Sequence, residues 1–332
     1  MLRVGDIVEV RTMEEVFATL DERGELDSLP FMPEMLQYCG KTFRIYKRAD
    51  KTCDTVTSSG LRRLKNTVHL EGLRCDGQSH GGCEAGCLLF WKEAWLRRPG
   101  RKTSRVSGSS VPEQISQENL RQKAFKSLDP SNPNETVYSC QATELLRFTT
   151  ALSKWDLRQY GRDWWSGNVP LSAMFRSLAV WIFNIVQELR KGTTYPMWFR
   201  SKVLLERDQW TVVKTPHETL GLRPGELVEV KARDEILRTV DRNAKNRGLS
   251  FDVEMVKYCG KQSRVLRRVE QIINEKTGKM MSMPKDCIVL DRVVCVGDLH
   301  GLCPRSIYPY WREIWLKRSN EPPSSGGSPK DS

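Results

Sequence analysis

Two segments of this sequence repeat one arrangement of thiols and an imidazole. The pattern Cys-x4-His-x2-Cys occurs at 75–83 and again at 295–303, and a further Cys followed by Gly-Lys precedes each copy. The eight candidate ligands are Cys39, Cys75, His80, Cys83, Cys259, Cys295, His300 and Cys303. Three thiolates and one imidazole form a complete tetrahedral set for zinc, and a closed four-ligand set is typical of structural zinc. We therefore predict two zinc ions.

Two other interpretations of these cysteines stay open at this point. Cysteine is commonly buried as a small apolar residue, and three cysteines with one histidine also hold iron–sulfur clusters in some proteins. Zinc is favoured over two iron–sulfur clusters because the closed four-ligand arrangement is its commonest use. The remaining thiols do not recur between the copies, so we expect Cys53 and Cys140 to be dispensable for metal binding, while Cys87 is a substitute ligand in the first copy only.

The two patterns belong to a longer internal duplication. At one constant offset and without a gap, 5–48 pairs with 225–268 and 70–97 pairs with 290–317, with 27 identities in 72 compared positions. The stretch between them, 49–69 against 269–289, keeps two identities. A well-kept frame around a variable segment is typical of duplicated domains with a free loop.

Each copy predicts the same short elements. Residues 5–10 alternate apolar and polar side chains after a glycine, which indicates a half-buried strand, and further strands are expected at 42–48 and 67–73. A short helix is expected over 31–40, and a helix with a buried aromatic face over 90–96, where Trp91 and Trp95 are four residues apart.

These elements predict an α+β fold with two duplicated small β-barrel-like metal-binding modules, for which an SH3-like barrel is the preferred topology, joined by a helical middle region. The predicted segments are metal-binding repeat one over 1–98, a flexible basic linker over 99–135, the helical middle region over 136–221, metal-binding repeat two over 222–318 and a disordered tail over 319–332. Within the middle region, a helix over 170–191 with a wide apolar face is expected to be buried or to make peripheral contact with a membrane.

The charge balance predicts an acidic partner. The 332 residues include 53 Lys and Arg against 41 Asp and Glu, a formal net charge of +12. Nucleic acid is the first candidate because Lys and Arg that neutralise phosphates dominate such binding, and anionic lipid or polysaccharide is the second. The start of the sequence has no apolar segment of the signal-peptide type, so we expect a cytoplasmic protein with reduced thiols.

A catalytic role is left open by the sequence. It contains no Walker loop, no dinucleotide-binding fingerprint and no nucleophile with a matching base. The predicted function is therefore a binding or adaptor module with structural zinc. The alternative is an iron–sulfur or metal-dependent enzyme in redox or biosynthetic chemistry. Its ligand pocket would lie near the second metal loop, residues 295–303, and would use Arg305, Tyr308 and Tyr310. A guanidinium and two phenols suit an anionic group.

Overall fold

The chain is a mixed protein of mostly strands with few helices, and its sheets are small and unclosed. The computed structural model describes residues 1–100, 126–129, 132–153, 155–172, 174–175, 179, 214–241, 243–298 and 300–319. It divides into two compact units. The first unit contains Met1–Phe175, Gln271–Ser282 and Val296–Ile307, and the second contains Arg176–Glu270, Met283–Cys295 and Tyr308–Ser332. Two segments of the second predicted repeat therefore belong to the first unit.

The first predicted repeat is built from nine short strands and a few helical turns. Its strands are β1 (Ile7–Val10), β2 (Glu25–Leu26), β3 (Leu29–Pro30), β4 (Thr42–Arg48), β5 (Lys51–Cys53), β6 (Leu61–Arg63), β7 (Thr67–Leu70), β8 (Trp91–Lys92) and β9 (Leu96–Arg97). Its helices are α1 (Met13–Phe17) and the 3₁₀ turns Pro33–Tyr38, Gln78–His80 and Glu93–Trp95. Five of these strands form one antiparallel sheet in the order β8-β7-β4-β1-β9.

The predicted linker and middle region both contain strands in their described parts. The strand β10 (Lys126–Asp129) and most of β11 (Asn132–Tyr138) lie in the segment predicted as a flexible linker, so that prediction is wrong there. The middle region contains α2 (Leu145–Phe148), β12 (Thr150–Leu152) and α3 (Arg158–Trp165), so it is not helical throughout. Strand β12 pairs antiparallel with β6, which explains why a short segment without its own partner nearby becomes a strand. The predicted helix over 170–191 lies mostly outside the described residues.

The second predicted repeat has its elements at closely similar spacing. They are β13 (Leu227–Val230), α4 (Arg233–Leu237), β14 (Lys245–Asn246), β15 (Leu249–Ser250), the 3₁₀ turn Val253–Tyr258, β16 (Gln262–Arg268), β17 (Gln271–Ile273), β18 (Met280–Ser282), β19 (Ile288–Leu290), the 3₁₀ turn Glu313–Trp315 and β20 (Leu316–Arg318). The starts of β1, α1 and β4 precede those of β13, α4 and β16 by the same offset that relates the two sequence copies. The second unit has a four-stranded antiparallel sheet in the order β19-β16-β13-β20.

A capping box starts the first helix. The Glu15 backbone N–H donates to the Thr12 hydroxyl at 3.4 Å, and the Thr12 N–H donates to the Glu15 carboxylate at 3.0 Å. This reciprocal pair satisfies two N–H groups that have no partner inside the helix. It places the buried Val16 and Phe17 against the core beneath the sheet.

The aromatic segment 90–96 is buried, as its spacing indicates, but it does not form the predicted helix. Trp91 lies in β8 opposite Val68, one 3₁₀ turn follows, and Trp95 donates its indole N–H to the Thr19 hydroxyl at 3.0 Å. Both indoles are completely buried. The pairing of β8 with β7 is a long-range contact that overrides the local helical spacing.

None of the described helices combines the length and the apolar composition that a bilayer crossing requires. Because the described sheets are unclosed, the predicted SH3-like barrel is not confirmed.

Candidate metal centre

A small cavity in the first unit brings four thiols and one imidazole together with the Arg305 guanidinium and the Glu275 carboxylate, and its other lining residues are mostly apolar. The thiols and the imidazole are those of Cys75, Cys83, Cys87, Cys140 and His80. The free volume of the cavity is about 40 Å³, which is enough for an ion or a water molecule. Pockets for small organic ligands are much larger, from roughly 300 Å³ upward. The size of the cavity therefore favours an ion over a metabolite.

Local strand pairing brings two of the thiols together. Arg74 and Leu88 lie opposite each other in an antiparallel bridge, and the Cys75 N–H donates to the Cys87 carbonyl oxygen at 2.8 Å. Residues that face each other across such a pair direct their side chains to the same side, with Cβ atoms roughly 4.5–5.5 Å apart. Cys75 and Cys87 are therefore neighbours by virtue of the backbone.

A glycine turn returns the chain to the cavity with the third thiol. Gly77 has a φ of +73°, and a Cβ at this position would lie 2.0 Å from the Cys83 carbonyl oxygen. The Gly77 carbonyl accepts N–H bonds from both His80 and Gly82 at 2.9 Å. Only glycine fits a backbone that is both left-handed and in contact with the neighbouring carbonyl. This turn places Cys83 beside Cys75.

Backbone N–H groups are directed at three of the four sulfurs. Cys75 accepts one from Gly77, and the Cys83 sulfur accepts one from Ile273 at 3.3 Å. Such bonds stabilise the thiolate, because donors to the charged form favour that form. They are also the kind of outer-shell contact that orients metal ligands.

The fourth thiol comes from the middle region. The Cys140 N–H donates to the Thr143 hydroxyl at 2.9 Å, and that hydroxyl donates to the Cys140 carbonyl oxygen at 3.1 Å. The backbone N–H groups of Ala142 and Thr143 lower the pKa of the Cys140 thiol, against the larger effect of burial. A thiol that accepts backbone N–H groups two and three residues further along is held in one orientation. Cys140 thus enters the cavity on a short turn that has no counterpart in the second predicted repeat.

The thiols are strongly disfavoured as free thiolates in the absence of a cation. Burial, with repulsion from neighbouring ionisable groups, raises the pKa of Cys75 well above its ordinary value. Burial is also the largest cause that raises the pKa of Cys87 to about 12 and that of Cys140 to about 11. A bound dication reverses this balance because it stabilises the thiolate directly.

His80 joins two segments around the cavity. Its Nδ1 lies 2.6 Å from a carboxylate oxygen of the buried Glu34, and its Nε2 lies 3.1 Å from the Ser139 carbonyl oxygen. A carbonyl oxygen only accepts, so Nε2 must carry the proton and donate. In this arrangement the imidazole braces the segment that carries Cys140 and is not directed at an ion.

A second grouping of potential ligands shares one thiol with the first. Ligand atoms of Glu34, Cys75 and His80 all lie within 4.8 Å of one another. None of the other three cavity thiols joins this closer set, so four-thiolate binding requires their side chains to turn inward. Glu34, Cys75 and His80 would leave an open coordination position, which is typical of catalytic rather than structural zinc.

The remaining predicted ligands are placed elsewhere. Cys39 is half-buried against the core of the first unit and is not among the residues that line the cavity; burial raises its pKa to about 11. Of the second predicted set, Cys259 and Cys295 belong to the second unit, whereas His300 and Cys303 belong to the first. The four predicted ligands of this set are thus divided between the two units.

Of the residues predicted for a ligand pocket, Arg305 lines the same cavity as the four thiols, whereas Tyr308 and Tyr310 are not among its lining residues. Arg305 is 2% exposed, donates to Glu275 at 3.1 Å and also donates to the Thr55 hydroxyl. Its guanidinium is thereby engaged within the first unit. Tyr308 and Tyr310 belong to the second unit, where the Arg267 guanidinium lies 5.7 Å from the ring of Tyr308.

Comparison with protein-family models, curated proteins and solved structures gives no match.

Sequence reasoning did not assign Glu34 to this site, predicted Cys140 to be dispensable for metal binding, and treated Cys87 only as a substitute ligand. Glu34 could have been identified from the sequence, because a glutamate recurs at the equivalent position, Glu254. The structure shows that both carboxylates are buried. Cys140 had no such signal, because its segment is not duplicated. Cys87 was considered only as a substitute ligand, because Ile307 stands at the equivalent position.

Proposed function

We propose that the first unit binds one zinc ion through the thiolates of Cys75, Cys83, Cys87 and Cys140, and that this ion is structural. The observation that carries the proposal is the convergence of four thiols on one cavity of ionic size. Four sulfur ligands make a closed tetrahedral site, which is the usual form of structural zinc.

The surroundings support thiolate ligation over the closer grouping of Glu34, Cys75 and His80. Backbone N–H groups already point at Cys75 and Cys140, which suits sulfurs that carry negative charge. His80, in contrast, has an acceptor oxygen at each of its nitrogens. An ion bound at the Nδ1 of His80 would replace its direct contact with Glu34, whereas the Nε2–H would continue to donate to the Ser139 carbonyl oxygen. Binding through the four thiols would require their sulfurs to come closer together than they are in the structure.

Metal analysis with an absorption spectrum tests this proposal. The purified full chain is expected to be colourless and to contain zinc. After replacement of zinc by Co²⁺, a tetrathiolate site is expected to show intense sulfur-to-cobalt charge transfer and tetrahedral visible bands. Iron together with visible absorption in the untreated protein would instead support the iron–sulfur alternative. A cobalt spectrum with the charge-transfer intensity of a single thiolate would favour Glu34, Cys75 and His80.

The variant His80→Ala tests whether His80 binds the ion or only supports the segments around the cavity. We expect the zinc content to be unchanged and the protein to lose about 2–4 kcal/mol of stability, because Glu34 is left buried without its partner. Glu34→Gln is the matched variant, since it removes the charge from the other side of the same contact. Loss of zinc from a folded His80→Ala protein, as judged by circular dichroism, would make His80 a ligand.

At the level of the whole chain, we infer two duplicated modules of small β-barrel-like form that bind an anionic partner. The matched element spacing supports the duplication, and the net charge of +12 supports the partner. Nucleic acid is the favoured partner because its binding draws on many separate Lys and Arg side chains.

Binding of a labelled single-stranded oligonucleotide tests the anionic partner. Fluorescence anisotropy is expected to show an affinity that falls about tenfold or more between 50 and 200 mM salt, since phosphate contacts release counterions. Absence of binding at low salt, or an affinity independent of salt, would contradict this inference.

A further inference from the structure

A second pair of thiols, neither of which lines the cavity, meets inside the first unit. Cys53 ends β5, and Cys303 lies in the segment Val296–Ile307. The Cys53 backbone N–H donates to the Cys303 sulfur at 3.0 Å, and the two thiols are also hydrogen-bonded through their side chains. Residues from the two predicted repeats thus contact each other directly.

This contact has an equivalent elsewhere in the first unit. Ile273, at the end of β17, donates its N–H to the Cys83 sulfur at 3.3 Å. Cys53 and Ile273 occupy equivalent positions of the two repeats, as do Cys83 and Cys303. In each predicted repeat, the residue at the end of one strand therefore contacts the Cys-x4-His-x2-Cys loop (75–83 or 295–303) of the other repeat.

These contacts between the repeats suggest a role for Cys53, which has no cysteine at the equivalent position of the second repeat. Where the first loop has Cys87, the second has Ile307, so the second loop lacks that thiol. Where β17 supplies Ile273 to the first loop, β5 supplies Cys53 to the second. The thiol that is missing from the second loop is thus replaced by one from the first repeat.

The backbone of the second loop is shaped as in the first. Gly297 has a φ of +78°, and a Cβ at this position would lie 2.3 Å from the Cys303 carbonyl oxygen. The Gly297 carbonyl accepts the N–H groups of His300 at 3.0 Å and Leu302 at 2.8 Å. This turn holds His300 on the same loop as Cys303, in the register that His80 has relative to Cys83.

Contact between the two thiols and their burial disfavour free thiolates at this pair. The Cys303 side chain is buried at 4% exposure, and the buried Arg305 follows it by two residues. Hydrogen bonding to Cys303 and burial raise the pKa of Cys53, whereas the positive charges of Arg305 and His300 lower it. Two thiols in contact cannot both ionise cheaply without a further cation.

We propose that Cys53, Cys303 and His300 form a second metal site, in which a thiol of the first repeat completes the metal loop of the second. The site is independent of occupancy at the four-thiol cavity. Zinc is the expected ion, since two thiolates with a neutral imidazole match its preference for sulfur and nitrogen.

Binding at this site is an exchange of protons for metal without any change of oxidation state. The two thiols release two protons and form two zinc–sulfur bonds, and the His300 ring must approach the sulfurs and supply an unprotonated nitrogen. The pair of thiolates neutralises the charge of the dication. The ion would link β5 to the segment Val296–Ile307.

Zinc content of the full chain and of single variants tests the second site. We expect two zinc ions in the wild-type chain and one in Cys53→Ile, a variant chosen because isoleucine occupies the equivalent position in β17. The matched control is Cys287→Ser, which removes a buried thiol of the second unit and is expected to keep two ions. Release of zinc to a chromophoric chelator during thiol modification counts the ions, and circular dichroism establishes that each variant is folded.

The outcomes separate this proposal from that of the four-thiol site. An unchanged zinc content in folded Cys53→Ile overturns the second site. So does a disulfide between Cys53 and Cys303 in the protein as purified, visible by mass spectrometry as the loss of two hydrogens per chain. Cys140→Ser is expected to lose the other ion only. Loss of one ion in Cys53→Ile but none in Cys140→Ser would support the second site and refute the first.

Discussion

Replacing Cys140 by serine is expected to remove one zinc ion from the chain and to lower the melting temperature of the first unit by about 10 °C or more. Apparent zinc binding free energies of structural sites reach roughly 10–16 kcal/mol at pH 7, and they act as folding free energy. A protein of this size is stable by only about 5–15 kcal/mol. Loss of even about 3–5 kcal/mol corresponds to roughly 10 °C in a domain of about 150–250 residues.

Cys39→Ser is the matched control for this experiment. Cys39 is a half-buried thiol of the same unit that contacts the core but does not line the cavity. We expect it to keep the wild-type zinc content and to change stability by less than about 1 kcal/mol, since serine is similar in size. Metal analysis and thermal unfolding followed by circular dichroism measure both effects. Zinc loss in Cys39→Ser with retention in Cys140→Ser would restore the ligand set predicted from sequence.

Glu313→Gln is expected to destabilise the second unit by about 3–5 kcal/mol. The Glu313 carboxylate is fully buried, accepts the N–H groups of Leu220, Gly221 and Leu222, and pairs with Arg268. The amide of glutamine offers one acceptor oxygen in place of two and turns a donor toward one of these donors. Breaking a buried, hydrogen-bonded charge pair from one side typically has an effect of this size.

The same carboxylate makes the second unit sensitive to acid. Although burial raises it, the bonds from Arg268 and the three backbone N–H groups lower the pKa of Glu313 below its ordinary value of about 4.5. A group whose pKa is lowered by folding stabilises the protein above the unfolded pKa and loses this effect as pH falls toward the folded value. Wild-type stability should therefore fall below about pH 4.5, and the difference between wild type and Glu313→Gln should shrink there.

Glu229→Gln serves as the control for Glu313. Glu229 pairs with Lys317 on the surface of the same sheet at 2.8 Å, and Lys317 is about half exposed. Surface pairs of this kind contribute about 0–1 kcal/mol. Chemical unfolding between pH 3 and 7 measures both variants. Equal effects of the two substitutions, or a pH profile identical to wild type in Glu313→Gln, would contradict the role assigned to Glu313.

Local sequence patterns predicted the elements whose residues carry their own period. The strand expected over 42–48 is β4, because its residues alternate and glycine precedes it. The segment 90–96 shows the limit of such patterns. Its aromatic residues predicted its burial, but its strand form depends on pairing with β7. Residues 71–90, which include the Cys-x4-His-x2-Cys segment, lie between these two strands in the chain.

The candidate metal ligands divide in the same way. Cys75 and Cys83 are identifiable because they recur in register with Cys295 and Cys303. The sequence also offered Cys39 and His80 on this ground. The structure places Cys39 against the core and both nitrogens of His80 near oxygen atoms. Recurrence of a residue between two copies indicates that it has a role, but it does not distinguish a role in packing from a role in metal binding.

The sequence by itself indicated the repeated pattern, strands such as β1 and β4, and two of the thiols around the cavity, because these depend on residues close together in the chain. Only the tertiary structure decided that Cys140 joins them and that Cys53 meets Cys303. Those contacts bring together residues that are far apart in the chain, and no local spacing encodes which of the ten cysteines will meet.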